Sequence, residues 1–198
     1  MVRQNSRARP QTLERQPADH LAALASVARE VSHGRTTVVM TWDFAAGRDA
    51  VWAMLTDPAR LATWAPYTAD RNLAHVGRAT LRMIGDDENP DVELSSVVLV
   101  ADPPQLLEHS WGADMLAWQL TVVGASSRLT LHQTLADALM ASAIAAGWHL
   151  CLGVAASALA GHPVVPVRGM TAMQHGWADL NARYAVALGV PASAIAAS

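Results

Sequence analysis

The stretch Asp137 to Gly161, DALMASAIAAGWHLCLGVAASALAG, decides the fold, because no charged residue stands between its two ends. At 1.5 Å rise per residue it makes a helix of roughly 35 Å, about the span of a small domain. Met140, Ile144, Trp148, Cys151, Ala155 and Leu159 recur at helical spacing and form one stripe, while the opposite side carries Ala, Ser142, Gly153 and His149. Both faces therefore need cover. Length and apolarity would also suit a bilayer span, which takes about 20 apolar residues. Against that, Ala, Gly147, Gly153, His149 and Ser157 dilute the hydrophobicity, and neither an aromatic belt nor a basic flank accompanies the stretch. A helix covered by protein is the favoured reading, and no membrane span is expected.

The residues just upstream supply a cover. Val92 to Ala101, Leu106 to Trp111, Met115 to Val123 and Arg128 to Leu135 follow one another with only short turns between them, so they are expected to pair antiparallel. Their inward sets read Leu107, His109 and Trp111, then Trp118, Leu120 and Val122, then Leu129, Leu131 and Leu135. The other parity is polar, as in Arg128, Thr130, His132 and Thr134. A sheet apolar on one side must be covered there, and the uncharged helix is the element long enough to do it.

Further upstream, Arg35 to Phe44 alternates Val38, Met40, Trp42 and Phe44 against Val39, Thr41 and Asp43, a strand with one buried side. Arg48 to Leu55 and Asp57-Pro58 to Trp64 read as two short helices, the second started by an Asp cap with Pro in its first position. Arg71 to Gly77 and Arg78 to Ile84 follow, the latter with Ala79, Leu81 and Met83 on one side. Gly85 to Pro90 is a turn. The predicted fold class is α+β: a curved antiparallel sheet wrapped around a long C-terminal helix, with two short helices after the first strand and extra N- and C-terminal helices.

Three segments are expected. Residues 1–34 are an N-terminal extension: a disordered start carrying Arg3, Arg7 and Arg9, then a short helix from an Asp19 cap to near Gly34, with Leu21, Leu24, Val27 and Val31 on one face. Residues 35–161 are the domain proper. Residues 162–198 are a C-terminal helical extension, in which HPVVPVR is a loop and Met170 to Leu188 a helix with Met173, Trp177, Leu180 and Tyr184 along one face.

Composition narrows the function. The 198 residues suit one domain with extensions, and a formal net charge of -3 gives no overall attraction to nucleic acid or anionic lipid. The single cysteine, Cys151, cannot form an internal bridge, so a cytoplasmic protein is the default expectation. Every basic residue is Arg, which excludes a Schiff-base lysine and a Walker-type phosphate lysine together. No GxGxxG, Walker loop, HExxH, CxxC or GxSxG motif occurs, and the first residues lack the apolar run of a secretory signal. Seven Trp against one Phe is an unusual balance, and each Trp brings a large buried surface plus one donor that needs a partner.

Phe44, VWAMLTDPARLATWAP from Val51 to Pro66, ADPPQLLEHSW from Ala101 to Trp111, SRLTLHQT from Ser127 to Thr134 and GWHLCL from Gly147 to Leu152 carry a resemblance. In their order and spacing they resemble the heat-shock-protein ATPase-activator-like branch of the START/SRPBCC and birch-pollen-allergen superfamily, over about residues 36 to 161. The resemblance implies a helix-grip fold around an apolar cavity, and no common catalytic set. Where that family often has paired Trp, this chain has Trp64-Ala65, and where it often has an aromatic residue, this chain has His109.

The candidate ligand-binding residues are Trp52, Trp64, Met83, His109, Trp111, Trp118, Met140, Ile144 and Trp148, with a small hydrophobic molecule of sterol or aromatic-polyketide size as the expected partner. No catalytic, metal or cofactor site is expected. His109 has two readings, an orienting or proton-carrying group in the cavity and a neutral core histidine bonded to backbone or to a Trp; the second is favoured, since burial disfavours the charged form. Cys151, in an apolar helix, is expected to be an inert core thiol. His149 and Cys151, two apart on a helix, point to different faces and are no metal pair. The acidic run Asp86, Asp87, Glu88 and Asp91 lacks calcium-loop spacing and reads as a solvated turn. Two alternatives stand beside ligand binding: a protein-interaction module regulating a chaperone ATPase, docking through the terminal helices, and a cyclase- or hydrolase-type enzyme using His109.

Overall fold

In the computed structural model, which describes residues 23–85 and 91–194, eight antiparallel strands form one sheet that curls around the uncharged helix. The strands are β1 (Ser26–Ser32), β2 (Arg35–Phe44), β3 (Tyr67–Ala69), β4 (Gly77–Met83), β5 (Val92–Asp102), β6 (Leu106–Trp111), β7 (Asp114–Val123) and β8 (Ser126–Leu135), in the spatial order β1-β2-β8-β7-β6-β5-β4-β3. Between β2 and β3 lie α1 (Arg48–Thr56) and α2 (Pro58–Leu61). After β8 come a 3-10 turn (Ala138–Met140), α3 (Ala141–Leu159), α4 (Thr171–Gln174) and α5 (Trp177–Leu188).

The strand register explains where the core sits. Met40, Leu131, Trp118 and Leu107 are successive partners across β2, β8, β7 and β6, and all four are buried. The next inward row runs Val38, Gln133, Leu116, His109 and Val98, also buried, with one polar side chain on β8 and one on β6. The helical pair forms as its caps dictate: Asp57 accepts from Ala59 N and Arg60 N, and Pro58 occupies the first helical position, where its missing N–H is harmless.

The two-sided apolarity of α3 has a direct cause. Trp148 and Cys151 lie on its inward stripe, Ser142 and His149 on the other side, and all four are buried. Helix α5 packs along α3 and buries Leu180, Asn181, Tyr184, Ala185 and Leu188, so α3 is held between sheet and helix. The segment Ala138–Leu159 is long and apolar enough to cross a membrane, with mean hydropathy 1.6, yet most of it is buried in protein. Tyr184 Oη ties the layers together: it accepts from Ala25 N at 3.0 Å and bonds His149 Nδ1 at 2.6 Å.

Four details differ from the sequence expectation. Residues 26–32, expected in a helix from Asp19 to Gly34, form strand β1, because His33 and Gly34 both adopt positive φ (50° and 75°) and make a two-residue turn whose twist suits a hairpin with β2. Val27 and Val31 match helical spacing by coincidence; as an edge strand β1 is held by backbone pairing, and Val31 stays exposed. The expected cap Asp19, Leu21, the arginines at 3, 7 and 9, and the acidic residues 86–88 lie outside the described residues. Val122, on the inward parity, is exposed at the end of β7, where the alternation of buried and exposed residues stops. The last helix is two helices, broken at Gly176, whose φ of 80° is left-handed. Finally, β3 pairs with β4 where the sequence showed no alternation, its three residues all buried.

Candidate functional site

His109 lies fully inside the sheet's concave side. Indole N–H can only donate, so the 3.2 Å bond from Trp118 Nε1 makes His109 Nε2 an acceptor, and Tyr67 Oη lies on the same nitrogen at 3.3 Å. Nδ1 then carries the proton and donates to the Ser110 carbonyl at 3.1 Å. Burial pulls the imidazole pKa down to about 4, against a smaller upward push from the Ser110 bond, so the ring is neutral near pH 7. Burial also pushes the Tyr67 phenol up. This is the neutral core histidine favoured by the sequence, with both ring nitrogens bonded within the protein.

Beside it, aromatic rings fill the space between sheet and helix. The Trp148 ring lies 5.0 Å from Trp118, 5.6 Å from Trp111 and 6.2 Å from Trp64, and Tyr67 lies 5.9 Å from Trp111. Each indole donor is satisfied locally: Trp148 Nε1 donates to Gln133 Oε1 at 2.6 Å, Trp64 Nε1 to the Met54 carbonyl at 3.1 Å, and Trp111 Nε1 to Met83 Sδ at 3.1 Å. Gln133 is held in turn by Asp114, which accepts from its Nε2 at 2.7 Å.

Open space lies on the outer side of this cluster. A cavity of about 190 Å³ runs between α3 and the segment leading into α5, walled by Trp111, Ile144, Trp148, Val167, Arg168 and Trp177. Gly147 faces it, and a Cβ placed there would meet nothing within 4 Å. Arg168, partly buried, donates from Nε to the Ala65 carbonyl at 2.8 Å and from Nη2 to the Ala62 carbonyl, closing the carbonyls at the end of α2. Burial lowers the Arg168 pKa, while burial pushes the neighbouring Cys151 thiol up to about 12 despite the opposing charge of Arg168. That thiol is not a nucleophile at neutral pH. An engineered cavity of about 150 Å³ takes one benzene, so this one suits one or two rings and is too small for a sterol. Among the described residues no three His, Cys, Asp or Glu side chains gather as metal ligands would.

Of the nine residues expected to bind ligand, Trp111, Ile144 and Trp148 wall this pocket. Trp52, Trp64, Trp118 and His109 are buried in the core, Met83 is half-buried as the acceptor for Trp111, and Met140 is exposed on the 3-10 turn. Val167, Arg168 and Trp177 are absent from the expected set because they follow α3 in the chain, and their position against it has no local signal. Gln133 and Tyr67 were missed too. Gln133 was findable, since it continues the inward parity of Leu129, Leu131 and Leu135.

Residues 45–159 match the family model described as Activator of Hsp90 ATPase homolog 1-like protein. No curated protein matches the chain. Among solved structures, the chain is similar to CalU16 from Micromonospora echinospora, with 21% identity, a TM-score of 0.57, and 80% of this chain and 98% of that one covered. A Bordetella parapertussis protein shows 23% identity and a TM-score of 0.59, covering 74% of this chain and 85% of that one. A Rhodobacter sphaeroides protein shows 23% identity and a TM-score of 0.56, covering 68% and 98%. These likenesses concern the fold.

Proposed function

The chain belongs to the Activator of Hsp90 ATPase homolog 1-like family, within the START/SRPBCC superfamily, and on that footing we propose that it binds a small hydrophobic molecule without turning it over. One observation supports the reading: the pocket beside α3 is open at a place where the indole rings of Trp111, Trp148 and Trp177 meet aliphatic side chains that include Ile144, Leu150 and Val167. A one- or two-ring ligand losing roughly 200 Å² of apolar surface gains about 5 kcal/mol before ordering costs, which corresponds to affinities weaker than micromolar for a neutral compound.

The enzyme alternative has little support, because both nitrogens of His109 are engaged and its ring is sealed from the pocket. Docking through the C-terminal helix is weakened likewise: the apolar face of α5 is spent on α3. A cytoplasmic location belongs to the same proposal, supported by the lone buried Cys151 and by the cover over α3.

Gly147→Leu tests the reading, since its side chain would occupy the pocket without striking neighbours at Cβ. Titration of the wild type with neutral one- and two-ring aromatics should shift the indole N–H resonances of Trp111, Trp148 and Trp177 saturably, and the variant should show no such shift. Identical titrations of a folded Gly147→Leu protein would place binding elsewhere and end the proposal.

A further inference from the structure

Arg168 stands out among the pocket residues. A guanidinium has five N–H donors, of which two here go to the carbonyls of Ala62 and Ala65. Among the described residues no carboxylate pairs with it; the ion pairs present join Arg82 to Asp91, Arg128 to Asp43 and Arg183 to Asp179. Nor are its spare donors sealed in dry protein, since among the described residues only Asn181 Oδ1 is a buried side-chain polar atom without a partner. The rest of the pocket wall is aromatic, aliphatic or backbone, with Cys151 the other titratable side chain and no acid in it. A cation fixed by two carbonyls at the edge of an apolar cavity is complementary to an anion carried on an apolar body.

Resting on the ligand-binding reading above, we propose that the pocket takes a small aryl-alkyl monocarboxylic acid, its ring among Trp111, Trp148 and Trp177 and its carboxylate on Arg168. The single guanidinium limits the charge to one. A phosphate monoester would carry a second charge into an apolar cavity with no partner for it. The volume limits the body to one or two rings, and the planar indole walls favour an aromatic one. Arg168 lies beyond residues 45–159, so this specificity comes from the part of the chain outside the family match.

A matched pair separates the charge from the pocket. 3-Phenylpropanoate and 3-phenylpropanamide have the same ring and reach, and each is titrated into the full chain at low ionic strength by calorimetry, with the three indole N–H resonances reporting the place. The acid should bind about tenfold or more tighter than the amide. In Arg168→Gln, checked for fold by circular dichroism, the preference for the acid over the amide should vanish. Saturable binding of both with equal affinity in the wild type would overturn the carboxylate assignment and leave the hydrophobic pocket standing. Retained preference for the acid in a folded Arg168→Gln protein, or binding that leaves the indole resonances unmoved, would overturn it as well. No saturable binding of either compound would remove both readings. The wild-type comparison decides even if Arg168→Gln, having lost its hold on α2, fails to fold.

Discussion

Two aromatic regions share the tryptophans of this molecule and differ in what became of their polar groups. Around His109, Trp118, Tyr67 and Trp64 every ring is buried, and each donor or acceptor meets a protein partner. Around Arg168 and Trp177 the rings are only partly covered, and a cation keeps donors to spare. Trp148 and Trp111 stand between the two, with one side toward the filled cluster and the other toward the pocket. Residue type therefore does not distinguish a core from a binding site in this fold. Whether the polar atoms are already satisfied, and whether the rings are covered, does.

The largest test of that contrast is Trp148→Ala. It empties the centre of the cluster and strips Gln133 of its indole donor, so chemical denaturation should show a loss of roughly 3 to 5 kcal/mol. A loss under about 1 kcal/mol would mean that the cluster is not the core it is described to be.

Next in size is a pH effect. The His109 pKa is lowered to about 4 in the fold from an ordinary 6.5, so between those values the unfolded chain binds the proton and the folded one does not. The sign follows: stability from this group is fully present above pH 6.5 and is lost as pH falls through about 4, by about 3 kcal/mol in all. His109→Leu should cost roughly 1 to 3 kcal/mol near pH 7, because Trp118 and Tyr67 lose their acceptor, and should remove this part of the acid slope. Stability-versus-pH curves of equal steepness for the two proteins would show that the histidine is not buried neutral. Pocket affinity in His109→Leu should match the wild type, since the ring does not wall the pocket.

The smallest expected change in stability belongs to the open region. Trp177, partly covered at the start of α5, should cost no more than about 1.5 kcal/mol on replacement by Ala, yet weaken aromatic-ligand affinity about fivefold or more. A large stability loss without a binding change would reverse the assignment of the two regions.

Much of this architecture could be read along the chain, and particular residues show why. Alternation from Val38 to Phe44 and from Leu129 to Leu135 gives each strand its inward side, because side chains on a strand have period two whatever lies opposite. Asp57-Pro58 starts α2 through its own side chain and ring, a matter of local geometry. The uncharged run through α3 announced that both faces would be covered, which α5 and the sheet then do. The sequence of β1 is ambiguous because Val27 and Val31 fit a helix as well as an edge strand, and the turn at His33-Gly34 carries the deciding signal.

The pocket is another matter. Parity and periodicity say which way a side chain points, and they are properties of one strand or helix. They say nothing of what stands across from it. Trp118 and Trp111 point inward by the same rule, yet Trp118 meets His109 and closes, while Trp111 meets a gap beside Gly147. Arg168 reaches the carbonyls of Ala62 and Ala65 across more than a hundred residues of chain, and the chain that follows it folds back so that α5 packs along α3. Local chemistry therefore settles the strands, the caps and the apolar helix. Which rings become wall and which become core rests on the long-range packing of α5 and its leading loop, since a gap exists only between elements that have already met.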